Sequence, residues 1–467
     1  MASSALDLRT CAAAGKGLRV SAGIIAGIGL IVLWVAFNLG AHSNLILTGL
    51  FLATGILLLK PALGARNADL FHPACLFPAV YCFWFGLGSL DILPASLNFR
   101  LFEPIPLRMW GYYAIGLAGY ILAVGSKQVG SKQKDGPRQH EQTGLSATWD
   151  GRRFALAMVV LALIGTAAYS YLVHKGGIPI LSDDWAESRV EIGLQNMIAI
   201  TAFLCAFWTV IPMLFAFLWS RPRAKMFSAL TYGLAAIFAV MLLSMGSRGY
   251  VFIPALIVMI IRHYMVRRWR FVSLLAIAAL LFVLIGIAGY LRDYSQVTAL
   301  ADMGFPVWVQ PFAPGYLYIR APIATFRDIS ALISAQGNFQ YGALFLSPFA
   351  VLAPGHHLSS DLFFKKLLGH NFLGLGEPAS LLGIFYADFG IVGIFAGMFA
   401  TGLLARRLYR RAYAKKSPLS VLLFSYYSYV LLFSVFGSLF PYLATLWIPL
   451  MFIFVERYVR KVERSAS

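Results

Sequence analysis

The sequence predicts an all-α polytopic membrane protein with about twelve transmembrane helices and a long outer loop carrying short helices. Of its 467 residues, 60% are hydrophobic and 12% are charged, whereas soluble domains carry about 25% charged residues. Apolar runs near twenty residues long recur along the chain, each bounded by charge, and this length crosses a hydrocarbon core of ~30 Å. Basic residues concentrate in every second connecting segment, as in membrane proteins with a fixed orientation.

The apolar runs divide the chain into five parts. Residues 1–125 hold four spans, and the first of them, Val20 to Phe37, has no small-residue cleavage site that would mark a signal peptide. Residues 126–153 are polar and glycine-containing and predict a flexible cytoplasmic linker. Residues 154–291 hold five spans and an outer loop at 174–195, residues 292–379 form a long outer or re-entrant loop, and residues 380–467 hold three spans and a basic tail. The predicted spans are 20–37, 41–59, 72–93, 108–125, 154–173, 196–219, 226–245, 249–261, 271–291, 380–404, 419–436 and 440–455.

The net charge of +19 follows from this topology. Most Lys and Arg residues lie in the segments that face the cytoplasm when both termini are placed inside. Contact with anionic lipid explains such a charge distribution, so a nucleic-acid partner is not expected.

No cofactor or metal site is expected. The four cysteines are scattered, and the sequence contains no CxxC, HExxH or phosphate-binding glycine loop.

The first outer loop, "HKGGIPILSDDWAESRVEIG", is the most charged stretch between two spans. A short helix over its second half would place Asp183 and Glu191 on one face, with Asp184 beside them, and Trp185 and Arg189 on another. An arginine beside an interfacial tryptophan suits a lipid phosphate or a diphosphate. The alternative is a solvated amphipathic helix whose acids simply face water.

A second charged position is Arg248 in "SMGSRGYVFIPAL", where the seventh span ends and the eighth begins. The next run, Gly249 to Ile261, is short for a full crossing, which places the junction below the membrane surface. A charge at that depth needs a polar cavity or a partner, and a helix start adds N–H donors for an anion. The alternative is a structural arginine that pairs with a carboxylate or extends outward.

The long outer loop supplies the other candidates. Arg320 and Arg327 are seven residues apart and share a face if the segment is helical, and Tyr318 lies beside the first of them as a candidate substrate-binding residue. His370 is a possible base, although a lone loop histidine is more often idle. Glu377 precedes the tenth span, where it is a substrate-site candidate or a helix-start charge.

Asp388 lies about two turns inside the tenth span. An unpaired carboxylate is costly there, so Asp388 is expected to pair with an arginine such as Arg248 or Arg320, or to take part in the chemistry directly.

Four stretches, in order, resemble the O-antigen polymerase (Wzy-type) family of oligosaccharide repeat-unit polymerases: "GGIPILSDDWAESRVEIG", "SMGSRGYVFIPAL", "YLYIRAPIATF" and "LLGIFYADFGIVGIFAGMFATGLL". The resemblance runs from Tyr171 to Leu404. It departs at Ile384, where family members often carry a glutamate, so Asp388 or Glu377 would take over any role of that acid.

The resemblance implies a GT-C-like glycosyltransferase of the bacterial inner membrane with a periplasmic active site. Its substrate would be undecaprenyl-diphosphate-linked oligosaccharide, and its partners a flippase and a chain-length regulator. The nascent glycan would move to the non-reducing end of the incoming repeat unit, giving O-antigen, capsule or exopolysaccharide. Arginines would stabilise the departing diphosphate, and Glu191, Asp184, Asp183 or Asp388 would accept the proton.

Two other functions stay open from the sequence. An O-antigen ligase, which transfers glycan to lipid A core, has a similar fold and uses a loop histidine, for which His370 is available. A transporter of lipid-linked sugars predicts internal symmetry, and the sequence shows no repeat.

Overall fold

A computed structural model of the chain describes residues 43–63, 69–90, 103–125, 149–182, 191–193, 195–220, 225–277, 313–350, 360–369, 377–415, 417–437 and 443–460, with isolated positions between 188 and 283. The regular structure in these ranges is helical, and they contain no β-strand. The all-α prediction is therefore confirmed for the described part of the chain.

The α-helices are α1 (Ser43–Leu63), α2 (Leu76–Gly88), α3 (Leu107–Gly125), α4 (Gly151–Gly176), α5 (Met197–Ser220), α6 (Lys225–Ser244), α7 (Arg248–Met265), α8 (Ala313–Gln336), α9 (Ser347–Ala350), α10 (Ser360–Leu367), α11 (Ser380–Lys415), α12 (Pro418–Phe433) and α13 (Leu443–Val459).

Four helical segments among the described residues are long and apolar enough to cross a membrane. Shorter apolar helices accompany them, and large hydrophobic side chains such as Leu163 and Val240 lie exposed on α4 and α6. An apolar helix exposed to this degree is expected in contact with lipid. The chain thus has the character of a multi-pass membrane protein. The four segments are Gly151–Leu181, Met197–Ser220, Lys225–Ser244 and Ser380–Ala414.

Two of the predicted spans lie wholly or in large part outside the described residues. The first, residues 20–37, lies outside the described residues, and the one at 271–291 is described as helical over 271–277. The eighth, expected to be short, is longer than predicted: α7 has 18 residues because its helix continues through the polar pair Arg262 and His263 to Met265.

The chain forms two compact units. The first comprises residues 1–125, 268–406 and 430–442, and the second comprises residues 126–267, 407–429 and 443–467.

In the second unit, α5 is buried along nearly its whole length. Phe217 near its end stacks on Phe154 with ring centroids 3.9 Å apart. In its middle, the indole of Trp208 donates to the carbonyl of Tyr250 at 2.9 Å. An α5 that is hydrophobic on all sides is expected at the centre of such a bundle.

In the first unit, α1, α2 and α3 share one end. Asn44 at the start of α1 donates to the carbonyl of Ile105 at 3.1 Å and accepts from the indole of Trp110 at 3.0 Å. Thr48, one turn later, bonds the carbonyl of Gly86 at the end of α2 at 3.4 Å. The start of α1, the end of α2 and the start of α3 therefore lie together.

Helix α11 reverses direction at Phe389 and Gly390, where the backbone leaves the helical conformation. A Cβ at Gly393 would collide with the carbonyl oxygen of Phe385, and one at Gly397 would meet the Phe385 ring. Residues eight apart in a continuous helix are about 12 Å apart, so residues 380–388 and 391–415 form two antiparallel arms. Gly390, with φ 63° and ψ −146°, adopts a conformation open essentially to glycine alone.

This reversal corrects the prediction of one continuous tenth span over residues 380–404. The arm at 391–415 continues past Arg406, whereas the arm at 380–388 is a short helix that ends at the reversal. Next to the longer arm, α3 runs parallel: Gly119 lies against the Phe395 carbonyl, and the Arg406 guanidinium donates to the Ala123 carbonyl at 3.2 Å.

Helix α8 crosses the shared end of these helices. Its Ile319 packs on Gly88 at the end of α2, its Ser330 hydroxyl donates to the Met109 sulfur at the start of α3 at 3.7 Å, and further along it meets the end of the short arm of α11. We call this region, which consists of α8, residues 86–90, residues 103–109 and residues 384–390, the α8 end of the first unit. Ala123 and Arg406 mark the opposite end.

Candidate functional site at the α8 end

Two buried arginines on α8 are the centre of the site. Arg320 is 1% exposed and Arg327 is 4% exposed. Arg320 donates to the carbonyl oxygens of Gly88 and Glu103, each at 2.8 Å, and Arg327 donates to the same Glu103 carbonyl at 2.8 Å. The segment is helical and both guanidinium groups reach one acceptor, so the expectation that they share a face is confirmed.

Two carboxylates pair with Arg327. Arg327 forms an ion pair with Glu103 at 3.0 Å and another with its neighbour Asp328 at 2.6 Å. Burying a guanidinium costs several kcal/mol unless it is paired and hydrogen-bonded, and both conditions hold here. The Glu103 side chain is 63% exposed, so this acid joins a buried cation to the surface of the unit.

Glu103 was not among the residues predicted from the sequence. It lies in "FEPIPL" between two spans, where an acid looks like an ordinary loop charge. Its backbone carbonyl oxygen accepts hydrogen bonds from both arginines. Such a contact is made by the backbone, so the pattern of side chains in the sequence does not indicate it.

The opposite side of α8 holds a second buried acid. Glu377 is 8% exposed, and one of its carboxylate oxygens accepts from the Thr325 hydroxyl at 3.1 Å. The short arm of α11 begins three residues later, at Ser380. This position is compatible with both interpretations of Glu377, as a helix-start charge and as a site residue.

Asp388 is held by backbone rather than by the arginine expected from its depth in the span. It is 1% exposed, and its two oxygens accept from the N–H groups of Leu344 and Phe345 at 3.1 and 3.0 Å. Among the described residues these backbone groups satisfy the carboxylate, because the reversal of α11 brings residues 340–346 against its tip. In the part of the chain that the structure describes, Asp388 thus forms a carboxylate–backbone clamp in place of the predicted ion pair with Arg320, and the alternative pair with Arg248 stays a prediction because the Arg248 side chain lies outside the description.

A chain of hydroxyl groups lies beside the arginines. Ser334 on α8 bonds the Tyr386 hydroxyl at 2.5 Å, and Tyr386 lies 3.4 Å from the Tyr112 hydroxyl. The two tyrosine rings pack with centroids 5.0 Å apart. Sequence reasoning missed this chain, although Tyr386 stands two residues before the singled-out Asp388.

Of the remaining predicted residues, the structure describes the side chains of Tyr318 and Glu191. Tyr318 is on α8, but it is half-exposed and its ring packs on Phe436 at 5.7 Å. Glu191 belongs to the second unit, where it is exposed and accepts from Gln195 at 2.9 Å. For Arg248 the structure describes the backbone, which begins α7 after Ser247, and the side chain lies outside the description. Asp183, Asp184, Trp185, Arg189 and His370 also lie outside the described residues.

The chemistry that this arrangement can supply is electrostatic and acid–base. Two fixed positive charges lie beneath an exposed carboxylate, and a hydroxyl chain lies nearby. No group of three or more His, Cys, Asp or Glu side chains within the described residues is placed to hold a metal ion.

Comparisons with known proteins name no relative. No family model matches the chain, no curated protein matches it, and no solved structure matches it.

Proposed function

We propose that this protein is a GT-C-like membrane glycosyltransferase with about twelve spans. It would polymerise undecaprenyl-diphosphate-linked oligosaccharide repeat units at the periplasmic face of the bacterial inner membrane, with a flippase and a chain-length regulator as partners. The observation that carries the proposal is the buried pair Arg320 and Arg327 at the α8 end, where positive charge is fixed at one end of apolar helices.

The distribution of basic residues supports placing this end outside. Arg406, at the opposite end of the first unit, opens a run of six basic residues that reaches Lys416. The positive-inside rule assigns such a run to the cytoplasm. The α8 end then faces the periplasm, where the phosphates within reach belong to lipids.

The proposed reaction forms one bond and breaks another at a single carbon. A hydroxyl oxygen of the incoming repeat unit attacks the anomeric carbon of the lipid-linked glycan. The bond from that carbon to the diphosphate oxygen breaks, and its electron pair leaves with undecaprenyl diphosphate. Fixed positive charge lowers the barrier because negative charge grows on the leaving group.

The arginines have two roles in this proposal. Arg320 and Arg327 donate to Gly88 and Glu103, so they position these segments and contribute their field. Arg248 and Arg189 are the residues proposed to contact the diphosphate.

The hydroxyl proton passes to a carboxylate in the same step. Asp388 is now the weakest of the candidate bases, because both of its oxygens accept backbone N–H bonds. Glu191, Asp183 and Asp184 stay candidates, and Glu103 joins them because it is exposed beside the buried arginines.

The test is polymerisation by purified protein supplied with a synthetic undecaprenyl-diphosphate repeat unit, with products sized on a gel, with and without a chelator. Arg248→Ala is expected to abolish polymer while membrane insertion and protein level persist. Arg152→Ala is the matched control, since Arg152 is exposed in the first turn of α4. Wild-type polymer from Arg248→Ala would contradict the proposal, and transfer of one glycan to lipid A core without polymer would replace it with a ligase.

A further inference from the structure

The reversal of α11 carries a group of exposed hydrophobic side chains. Two segments form it, residues 341–350 and residues 389–395, which we call the hairpin tip. They are packed together, since Gly342 lies against the Phe389 ring. Scattered exposed apolar residues are ordinary, but a contiguous group indicates a contact surface. The exposed members are Tyr341, Phe345, Leu346, Phe349, Phe389, Ile391, Val392 and Phe395.

Four backbone N–H groups at or next to the hairpin tip bond to the end of the short arm of α11. The N–H groups of Gln340 and Tyr341 donate to the carbonyls of Ala387 and Asp388 at 2.9 and 3.0 Å. The Asp388 carboxylate accepts hydrogen bonds from the N–H groups of Leu344 and Phe345. A non-helical segment tolerates hydrocarbon only when its polar backbone groups have partners in the protein, and these four N–H groups have such partners.

The length of the long arm places the hairpin tip at membrane depth. From Arg406 to Gly390 the arm rises about 24 Å at 1.5 Å per residue, whereas a bilayer core is ~30 Å thick. With Arg406 at one boundary, Gly390 stays inside the core or at its far edge. The exposed residues Val392, Phe395 and Leu403 continue along this arm, so the apolar surface of the tip extends that of a candidate membrane span.

The segment leading into the tip has the opposite character. Ala335, Gln336 and Asn338 are exposed, and the Gln336 and Asn338 side chains are polar. The tip therefore has an apolar side, and residues 335–338, which we call the polar approach, lead to it from the end of α8.

We propose that the hairpin tip is a re-entrant element whose apolar side lies among the lipid acyl chains, and that Asp388 is the internal clamp that lets residues 340–346 enter that environment. The short arm at 380–388 then reaches the tip from within the membrane without crossing it. The inference is independent of glycosyl transfer and applies equally to a ligase or a transporter.

The test places one spin label at a time on the full-length protein in vesicles of phosphatidylethanolamine and phosphatidylglycerol. Leu346→Cys and Phe349→Cys report on the tip, and Ala335→Cys is the matched control on the polar approach. Val392→Cys reports on the long arm. Cys75, Cys82 and Cys205 are buried. The labelling background is measured on protein that carries Cys11→Ser and no introduced cysteine. Collision rates with oxygen, which concentrates in lipid, and with a water-soluble nickel complex are compared.

The labels at positions 346 and 349 are expected to favour oxygen over nickel by several-fold relative to position 335, and to match position 392. The inference is overturned if both tip labels collide with nickel as often as the label at position 335 does. Each variant is checked for a monodisperse elution profile, and because two tip positions are read independently, misfolding of one leaves the other decisive.

Discussion

Replacing Arg320 by methionine tests whether the buried guanidinium joins the parts of the α8 end. Methionine fills similar volume without charge or donors. The substitution removes the hydrogen bonds to the carbonyls of Gly88 and Glu103, each 2.8 Å long. Glu103 still accepts from Arg327, so Gly88, in the last turn of α2, is the residue whose carbonyl loses its side-chain donor.

The expected loss is about 2–4 kcal/mol, because a hydrogen bond from a charged group contributes about 1.5–3 kcal/mol and the relief from burying a charge offsets part of the total. For a chain of 467 residues, that loss corresponds to a melting temperature lower by roughly 2–4 °C. Buried thiols offer the assay: Cys75 and Cys82 flank the first half of α2 and are buried, so a thiol-reactive fluorescent dye reports when this helix separates from its neighbours on heating in detergent.

Arg108→Met is the matched control, since Arg108 is an exposed arginine in the first turn of α3 at the same end. It is expected to melt within about 1 °C of the unsubstituted protein, as exposed substitutions usually change stability by less than about 0.5 kcal/mol. The reasoning is refuted if Arg320→Met melts together with Arg108→Met.

Two further substitutions test the reversal of α11 by the same dye assay. Asp388→Ala removes both acceptors of the Leu344 and Phe345 N–H groups and is expected to lower the melting temperature more than Asp388→Asn, which keeps one oxygen; equal melting of the two variants would show that the carboxylate does not clamp the tip. Gly390→Ala forces a Cβ into a left-handed conformation at φ 63° and is expected to cost about 1–3 kcal/mol, whereas Gly49→Ala in α1, which has no neighbouring atom within 4 Å, is expected to be neutral or stabilising. The reversal is not strained as described if the two alanine variants melt alike.

The sequence predicted the helices well where one physical signal dominates. Apolar runs of membrane-spanning length marked most helices within a few residues, because burial of backbone polar groups leaves a helix few alternatives in lipid. The spacing of Arg320 and Arg327 correctly placed both on one face of a helix, because seven residues are close to two turns.

The reversal at Gly390 could not be predicted from the same signal. "FYADFGIVGIF" is apolar apart from Asp388, and glycine is common within transmembrane helices. What selects the reversal is a contact between Asp388 and backbone N–H groups more than forty residues earlier in the chain. The backbone partners of Asp388 could not be predicted for the same reason, because every residue except proline has a backbone N–H group.

At the α8 end, some charged side chains already bond to backbone groups, which limits the side chains that are available for chemistry. Arg320 caps the last turn of α2 by donating to Gly88, where carbonyls lack helical partners and a cation is favoured by the helix dipole. Asp388 is occupied by the tip in the same way. The groups that these backbone contacts leave over include the carboxylates of Glu103, Asp328 and Glu377 and the hydroxyl chain from Ser334 to Tyr112. We expect a reaction at this end to use these groups or residues brought to it from the outer loops.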